Sequence, residues 1–373
     1  MSNCGHCCFQ ARESESIAVS KIRFTIGGFL GLFLDGIIVA LPGTILPQWK
    51  IDFGANVEIW LFYNLFLLGS LIGISLAYKL RQRHPLMGLS FATIGLAFLI
   101  ATRSPSFKGI LVAAILIGLG DGILNLQCNS LVGELHSTRR VAVLNWANAA
   151  FGLGAISTPL LGALFSWRII FALAASLAFI SVALVWRAPS VKNFAPEGGR
   201  MLWSRASIFL LMIIFYTGLE GTIGTWSSTY LLHLGWDKTQ TGKLLSLYWG
   251  GLTLGRMLLG SWVGKQPLKA LSWLLIGAIG VLGLCLIPSL AILFPLAAFF
   301  YGPLFATLFA LLQESCGHVA LGYLFYAAFI GKTSIPAAFS IVENPNHFPY
   351  GFIFLALILY LGLELEKKSE NMR

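Results

Sequence analysis

Apolar runs of about twenty residues recur along this chain, and they leave it few folds to choose from. A helix of that length crosses the hydrocarbon layer with its backbone groups bonded within the segment. Twelve runs can be placed: Phe24–Leu46, Val57–Tyr78, Met87–Ala101, Ile110–Glu134, Val141–Leu164, Ile169–Trp186, Ser204–Leu231, Thr241–Val263, Leu268–Ile287, Ala291–Gln313, Val319–Ile341 and Tyr350–Leu365. Only 11% of residues are charged and mean hydropathy is +0.80, whereas soluble domains carry about 25% charge. The expectation is an all-α membrane protein of twelve transmembrane helices in two pseudo-symmetric six-helix bundles.

The polar stretch after the sixth run divides the chain. Residues 1–23 read as a tail, 24–188 as an N-terminal bundle, 189–203 as a linker, 204–366 as a C-terminal bundle and 367–373 as a second tail. An even number of spans puts both tails on one side. Of the 25 Lys and Arg, seventeen fall in the tails, the linker and the loops sharing their side, and six in the opposite loops. Arg256 and Lys332 lie inside runs. That asymmetry places both termini in the cytoplasm of a bacterial inner membrane. It also accounts for the formal charge of +10 without nucleic acid, and the chain is expected to be a monomer in the bilayer.

Cys128, Cys285 and Cys316 sit in or beside apolar runs and read as small hydrophobic residues. Cys4, His6, Cys7 and Cys8 are too tightly spaced for a structural zinc site and read as a solvated, disordered tail. Met1–Lys21 lacks the apolar core of a cleavable signal peptide. No metal, cofactor or nucleotide-binding loop is expected, and no catalytic constellation is present, so the chain does not read as an enzyme.

Polar residues within the spans carry the functional reading. Asp35, Asp121, Glu220 and Lys332 fall near the middle of the first, fourth, seventh and eleventh runs. An unpaired charge at that depth costs about 3 kcal/mol on insertion scales. A cluster lining a path between the halves removes the difficulty, and a purely structural ion pair is the competing account. Asp35 and Asp121 are candidates for proton coupling, since a carboxyl kept from water can alternate between neutral and charged forms. On the fourth helix Asn125 and Asn129 follow Asp121 at spacings of four, on one face. With Asn148 of the fifth run they suit a hydroxyl-rich solute, because amides donate and accept. Helix–helix hydrogen bonding is their plainer role. Glu220, Trp226, Tyr248, Trp249 and Lys332 complete the candidate substrate site, the aromatics being able to stack on a sugar ring. Glu134 near Arg139, and Arg256 on the eighth run, are candidate gating residues.

Glycines add a second signal. Gly118, Gly120 and Gly122 thin the fourth helix. Gly69-x-x-x-Gly73 in the second run is echoed by Gly251-x-x-x-Gly255 in the eighth, and each leads toward a basic turn. Corresponding positions in two halves suggest internal duplication with a solute path between them.

The stretch GLGDGILNLQCN at Gly118–Asn129 resembles the major facilitator superfamily, most nearly its fucose–proton symporter branch. So do Gly152-x-Gly154, Pro159, Gly218-x-Glu220, Gly224-x-Trp226, Tyr230-Leu231, Tyr248-Trp249-Gly250-Gly251 and Gly255-Arg256. The resemblance implies alternating access by rocking of two halves, with Asp35 and Asp121 in proton coupling and sugar binding. The superfamily's acid and second glycine after the second helix are absent from Gly73-x-x-x-Ala77-Tyr78-Lys79-Leu80-Arg81, which removes its usual inner clasp. The expected activity is sugar–proton symport. Proton-coupled efflux of amphipathic compounds, carriage of another metabolite, and a non-transporting receptor or assembly subunit are the alternatives.

Overall fold

The computed structural model describes the backbone of residues 4–54, 57–80, 82–136, 140–190, 203–263, 266–316 and 319–371. Thirteen α-helices and short 3-10 turns make up the described residues, with no strand among them. Six helices precede the linker: α1 Cys4–Phe53, α2 Ile59–Leu80, α3 Leu86–Arg103, α4 Phe107–Leu135, α5 Arg140–Leu164 and α6 Trp167–Val185. Seven follow it: α7 Trp203–His233, α8 Lys238–Val263, α9 Pro267–Leu284, α10 Phe294–Tyr301, α11 Leu304–Cys316, α12 Val319–Ala338 and α13 Phe348–Asn371. α10 and α11 together form the tenth span. Eleven of the spans are long and apolar enough to cross a membrane. The other, α8, has 26 residues, about 39 Å of helix, with its hydropathy lowered by Lys238, Lys243 and Arg256.

The third span extends past Met87–Ala101 at both ends: α3 is 18 residues long and runs Leu86–Arg103. Two expectations need correction. The tenth span is not one helix, because Gly302–Pro303 breaks it; Pro303 has no N–H to give the carbonyl of Phe299. Cys4 onward is helical and continuous with α1 rather than disordered, since extending a nucleated helix is far easier than starting one. Most of the linker, residues 191–202, lies outside the described residues.

Each half is held by close helix crossings at glycine. In the N-terminal half α2 packs on α4, and a Cβ at Gly69 or Gly73 would collide with the carbonyls of Ile115 and Leu119. Returning the contact, Gly118 and Gly122 lie against the carbonyls of Phe66 and Ser70. α8 packs on α10 in the same manner: Gly251 and Gly255 face the carbonyls of Pro295 and Phe299. The glycine and carbonyl spacings, four residues each, are identical in the two halves. The pairing of α1 with α5 likewise matches α7 with α12: Gly154 meets the carbonyl of Phe33, and Gly331 that of Ile214. These paired crossings make the bundles pseudo-symmetric.

Between the halves, α5 faces α8, α2 faces α12 and α1 faces α7. Arg23, Arg83 and Arg187 mark one end of the bundle, the basic end. Toward the opposite end the halves are closely joined. Gly43 abuts the backbone at Gly224. The hydroxyls of Tyr63 and Thr225 lie 2.5 Å apart, and Ser246 donates to the carbonyl of Ile156 at 2.9 Å. On the basic side of the middle, Ser75 and Tyr326 hydroxyls meet at 2.9 Å.

Candidate functional site

The four mid-span charges sit at matched depth. Asp121 and Lys332 are the central residues of Phe107–Leu135 and Tyr323–Ile341, and Asp35 and Glu220 lie within two residues of the centres of Ser20–Phe53 and Ala206–His233. Pro336, four residues after Lys332, cannot donate to its carbonyl, so α12 is weakened at this level. Lys332 reaches out of the C-terminal half into the N-terminal one. Its Nζ lies 3.2 Å from Asp121 Oδ2 and 3.8 Å from Asp35 Oδ1. The ammonium also sits over the Phe329 ring at 3.7 Å and near that of Phe66 at 5.6 Å, a geometry that stabilises a cation withdrawn from water. Asn125 Nδ2 donates to Asp35 Oδ2 at 2.6 Å. Asp121 Oδ1 and Asp35 Oδ1 are buried and have no hydrogen-bond partner among the described residues.

A second pair occupies the C-terminal half. Arg256 NH2 is 3.1 Å from Glu220 Oε2 and donates to the Tyr216 hydroxyl at 3.2 Å, and Arg256 Nε points at the carbonyl of Gly302 at 3.4 Å. One guanidinium thus joins α7, α8 and the break between α10 and α11. Tyr301 donates to the Tyr248 hydroxyl at 2.5 Å, and Tyr248 to the carbonyl of Glu220 at 2.8 Å. Arg256 lies about two turns from the Val263 end of α8, and the acid it meets there is Glu220 of α7.

The other candidates divide. Asn125 and Asn129 are half-buried, and Asn129 turns back to donate to the carbonyl of Asn125 at 2.9 Å. Asn148 is exposed on α5, one turn toward the basic end from Gly152, which packs on Thr253 of α8. Trp226, Tyr248 and Trp249 are buried. Trp226 Nε1 donates to the carbonyl of Pro336 at 3.0 Å, and its ring is 5.1 Å from that of Phe348. Trp249 lies against Gly224 with its indole N–H unpartnered among the described residues.

At the basic end, Arg139 lies outside the described residues, and Glu134 meets Arg83 of the α2–α3 turn. Arg83, fully buried, contacts Glu134 at 3.0 Å and donates to Ser130 Oγ at 2.7 Å. It also reaches the carbonyls of Pro189 at 3.1 Å and Ser190 at 3.3 Å. The α2–α3 turn, the end of α4 and the start of the linker meet on that one side chain. Nothing local in the sequence separates Arg83 from Arg81, and its role needs the linker to return beside it.

Comparison with known proteins settles the family. The sequence profile of the Major Facilitator Superfamily matches residues 28–338. The chain belongs to the major facilitator superfamily. It is a multi-pass membrane transporter and not an enzyme. Among this superfamily member's relatives, a putative glucose/galactose transporter of Helicobacter pylori is 25% identical over 393 residues, 91% of this chain and 96% of that protein. Bypass of stop codon protein 6 of Saccharomyces cerevisiae is 24% identical over 270 residues, 61% of this chain; the chain spans about half of that relative, 53%. Two crystal structures share the fold. A D-xylose–proton symporter matches with a TM-score of 0.70 at 14% identity, covering 92% of this chain and 97% of that one. A nucleoside transporter matches with a TM-score of 0.70 at 13% identity, covering 93% and 99%.

Proposed function

We propose that this chain carries a sugar across the membrane in symport with protons, by alternating access between its two halves. The observation that carries the reading is the single ammonium of Lys332 shared by two buried carboxylates of the opposite half. Rocking one half against the other strains that bridge, and a proton arriving on Asp35 or Asp121 weakens it. Proton uptake and the movement of the halves are therefore the same event. Asp35 and Asp121 serve the proton; Asn125, Asn129 and Asn148 offer amides to the solute's hydroxyls. Glu220 and Lys332 border the path. Trp226, Tyr248 and Trp249 form its aromatic wall, the first two fixed by hydrogen bonds to backbone carbonyls. The sugar class draws support from the glucose/galactose relative and the xylose–proton symporter, and the branch from the fucose–proton resemblance of Gly118–Asn129.

The basic end faces the cytoplasm of the bacterial inner membrane in this reading, with Arg83 and Glu134 closing the N-terminal half there and the protein working as a monomer. Efflux of amphipathic compounds is the second reading. Phe66 and Phe329 around Lys332 favour it, since an aromatic pair can hold an amphipathic cation. Counterflow in proteoliposomes with radiolabelled glucose, galactose, xylose, fucose and nucleosides tests the proposal. Exchange of at least one of the four sugars is expected; exchange of none of them overturns the sugar reading.

A further inference from the structure

We infer that Lys332 sets the number of protons the mid-membrane cluster holds, by standing as a fixed cation against two carboxylates. This deepens the coupling role proposed above and rests on it for its place in transport. Asp121 and Asp35 side chains are 0% and 4% exposed, and Lys332 is 16% exposed. Two carboxylates against one ammonium leave a single net negative charge. Groups this far from water neutralise rather than keep such a charge, and one proton brings the cluster to zero.

The geometry names the atoms open to that proton. Asp35 Oδ2 already accepts from Asn125, and Asp121 Oδ2 from Lys332. The remaining oxygens, Asp35 Oδ1 and Asp121 Oδ1, are the two buried without hydrogen-bond partners among the described residues. A proton bound at either makes it a hydroxyl donor while the other stays an acceptor.

Other charges do not disturb the count. On α7 Glu220 is held by Arg256 of α8 at 3.1 Å, and Tyr216, Tyr248 and Tyr301 are bonded to that pair or to each other. Away from its ends α4 adds to Asp121 only the thiol of Cys128, packed toward Gly31 of α1. Away from their ends α2, α3, α5 and α6 carry no Asp, Glu, Lys, Arg or His, and α11 carries only Glu314, in its last turn. The protons held then equal the carboxylates less the fixed cations. Wild type holds one, Lys332→Gln two and Asp35→Asn none. Lys332→Arg keeps one, and so does the double variant Asp35→Asn/Lys332→Gln.

Infrared difference spectroscopy of the reconstituted full chain at neutral pH tests this, reading protonated carboxyls by their carbonyl stretch. Asp35→Asn/Asp121→Asn, with neither acid, supplies the baseline. The band is expected to double in Lys332→Gln, vanish in Asp35→Asn, and return to wild-type size in Lys332→Arg and in the double variant. A Lys332→Gln band no larger than wild type overturns the inference. Should that variant fail to fold, a band that stays absent in Asp35→Asn/Lys332→Gln overturns it equally. No solute is present in this measurement. A chain that exchanges no sugar yet shows the full series loses the sugar reading alone.

Discussion

Arg256 and Glu220 form an ion pair in the middle of the C-terminal half, 3.1 Å apart, with side chains 19% and 10% exposed. Removing one partner strands the other away from water, which costs about 3–5 kcal/mol. Arg256→Leu should therefore lower the thermal unfolding midpoint strongly, and Glu220→Gln added to it should recover much of the loss. Equal destabilisation in the single and double variants would mean that the guanidinium acts through Gly302 and Tyr216 rather than through the acid.

The glycine crossings predict a matched response in the two halves. Gly73→Ala and Gly255→Ala each drive a methyl group into a neighbouring carbonyl, of Leu119 and Phe299 respectively. Overpacking of this kind costs about 1–3 kcal/mol. Gly280→Ala meets nothing within 4 Å and should be neutral or stabilising, by about 1 kcal/mol from helix propensity. Thermal unfolding of the three variants in one detergent makes the comparison; equal loss in all three would remove the crossings as the cause.

Arg83 holds a carboxylate, a hydroxyl and two linker carbonyls at once. Arg83→Ala should free the end of α4 and the start of the linker together. A cysteine placed at Ser190 should then react faster with a water-soluble maleimide. Arg83→Lys should rescue little, since an ammonium cannot reproduce the guanidinium fork. Unchanged labelling in both variants would show that the linker is fixed by other contacts.

Much of this architecture was legible in the chain, for physical reasons. Span length follows from bilayer thickness, and the paired Gly-x-x-x-Gly faces marked the close-packing sides of α2 and α8 because only glycine permits that approach, though not the helices that meet them. Asp35, Asp121, Glu220 and Lys332 stood out because hydrocarbon penalises charge. Their partners were not legible: periodicity orders residues around one helix, and Lys332 finds Asp121 only through the docking of two halves. The break in the tenth span was signalled by Gly302–Pro303 but hidden inside an apolar run. Arg83 carried no signal, being one of several basic residues in a turn whose importance comes from the linker folding back onto it. Trp226 and Tyr248 illustrate the opposite limit, since the sequence shows an aromatic residue in a span but not the backbone carbonyl of Pro336 or Glu220 that fixes its polar atom.

The most direct measurement of the central claim is accumulation of a counterflow-positive radiolabelled sugar in proteoliposomes under an imposed pH gradient. Wild type should concentrate the sugar and lose that ability with a protonophore. Asp35→Asn and Asp121→Asn should each retain exchange but no longer concentrate it. Accumulation at the wild-type level in both variants would contradict the assignment of coupling to the carboxylates that Lys332 bridges.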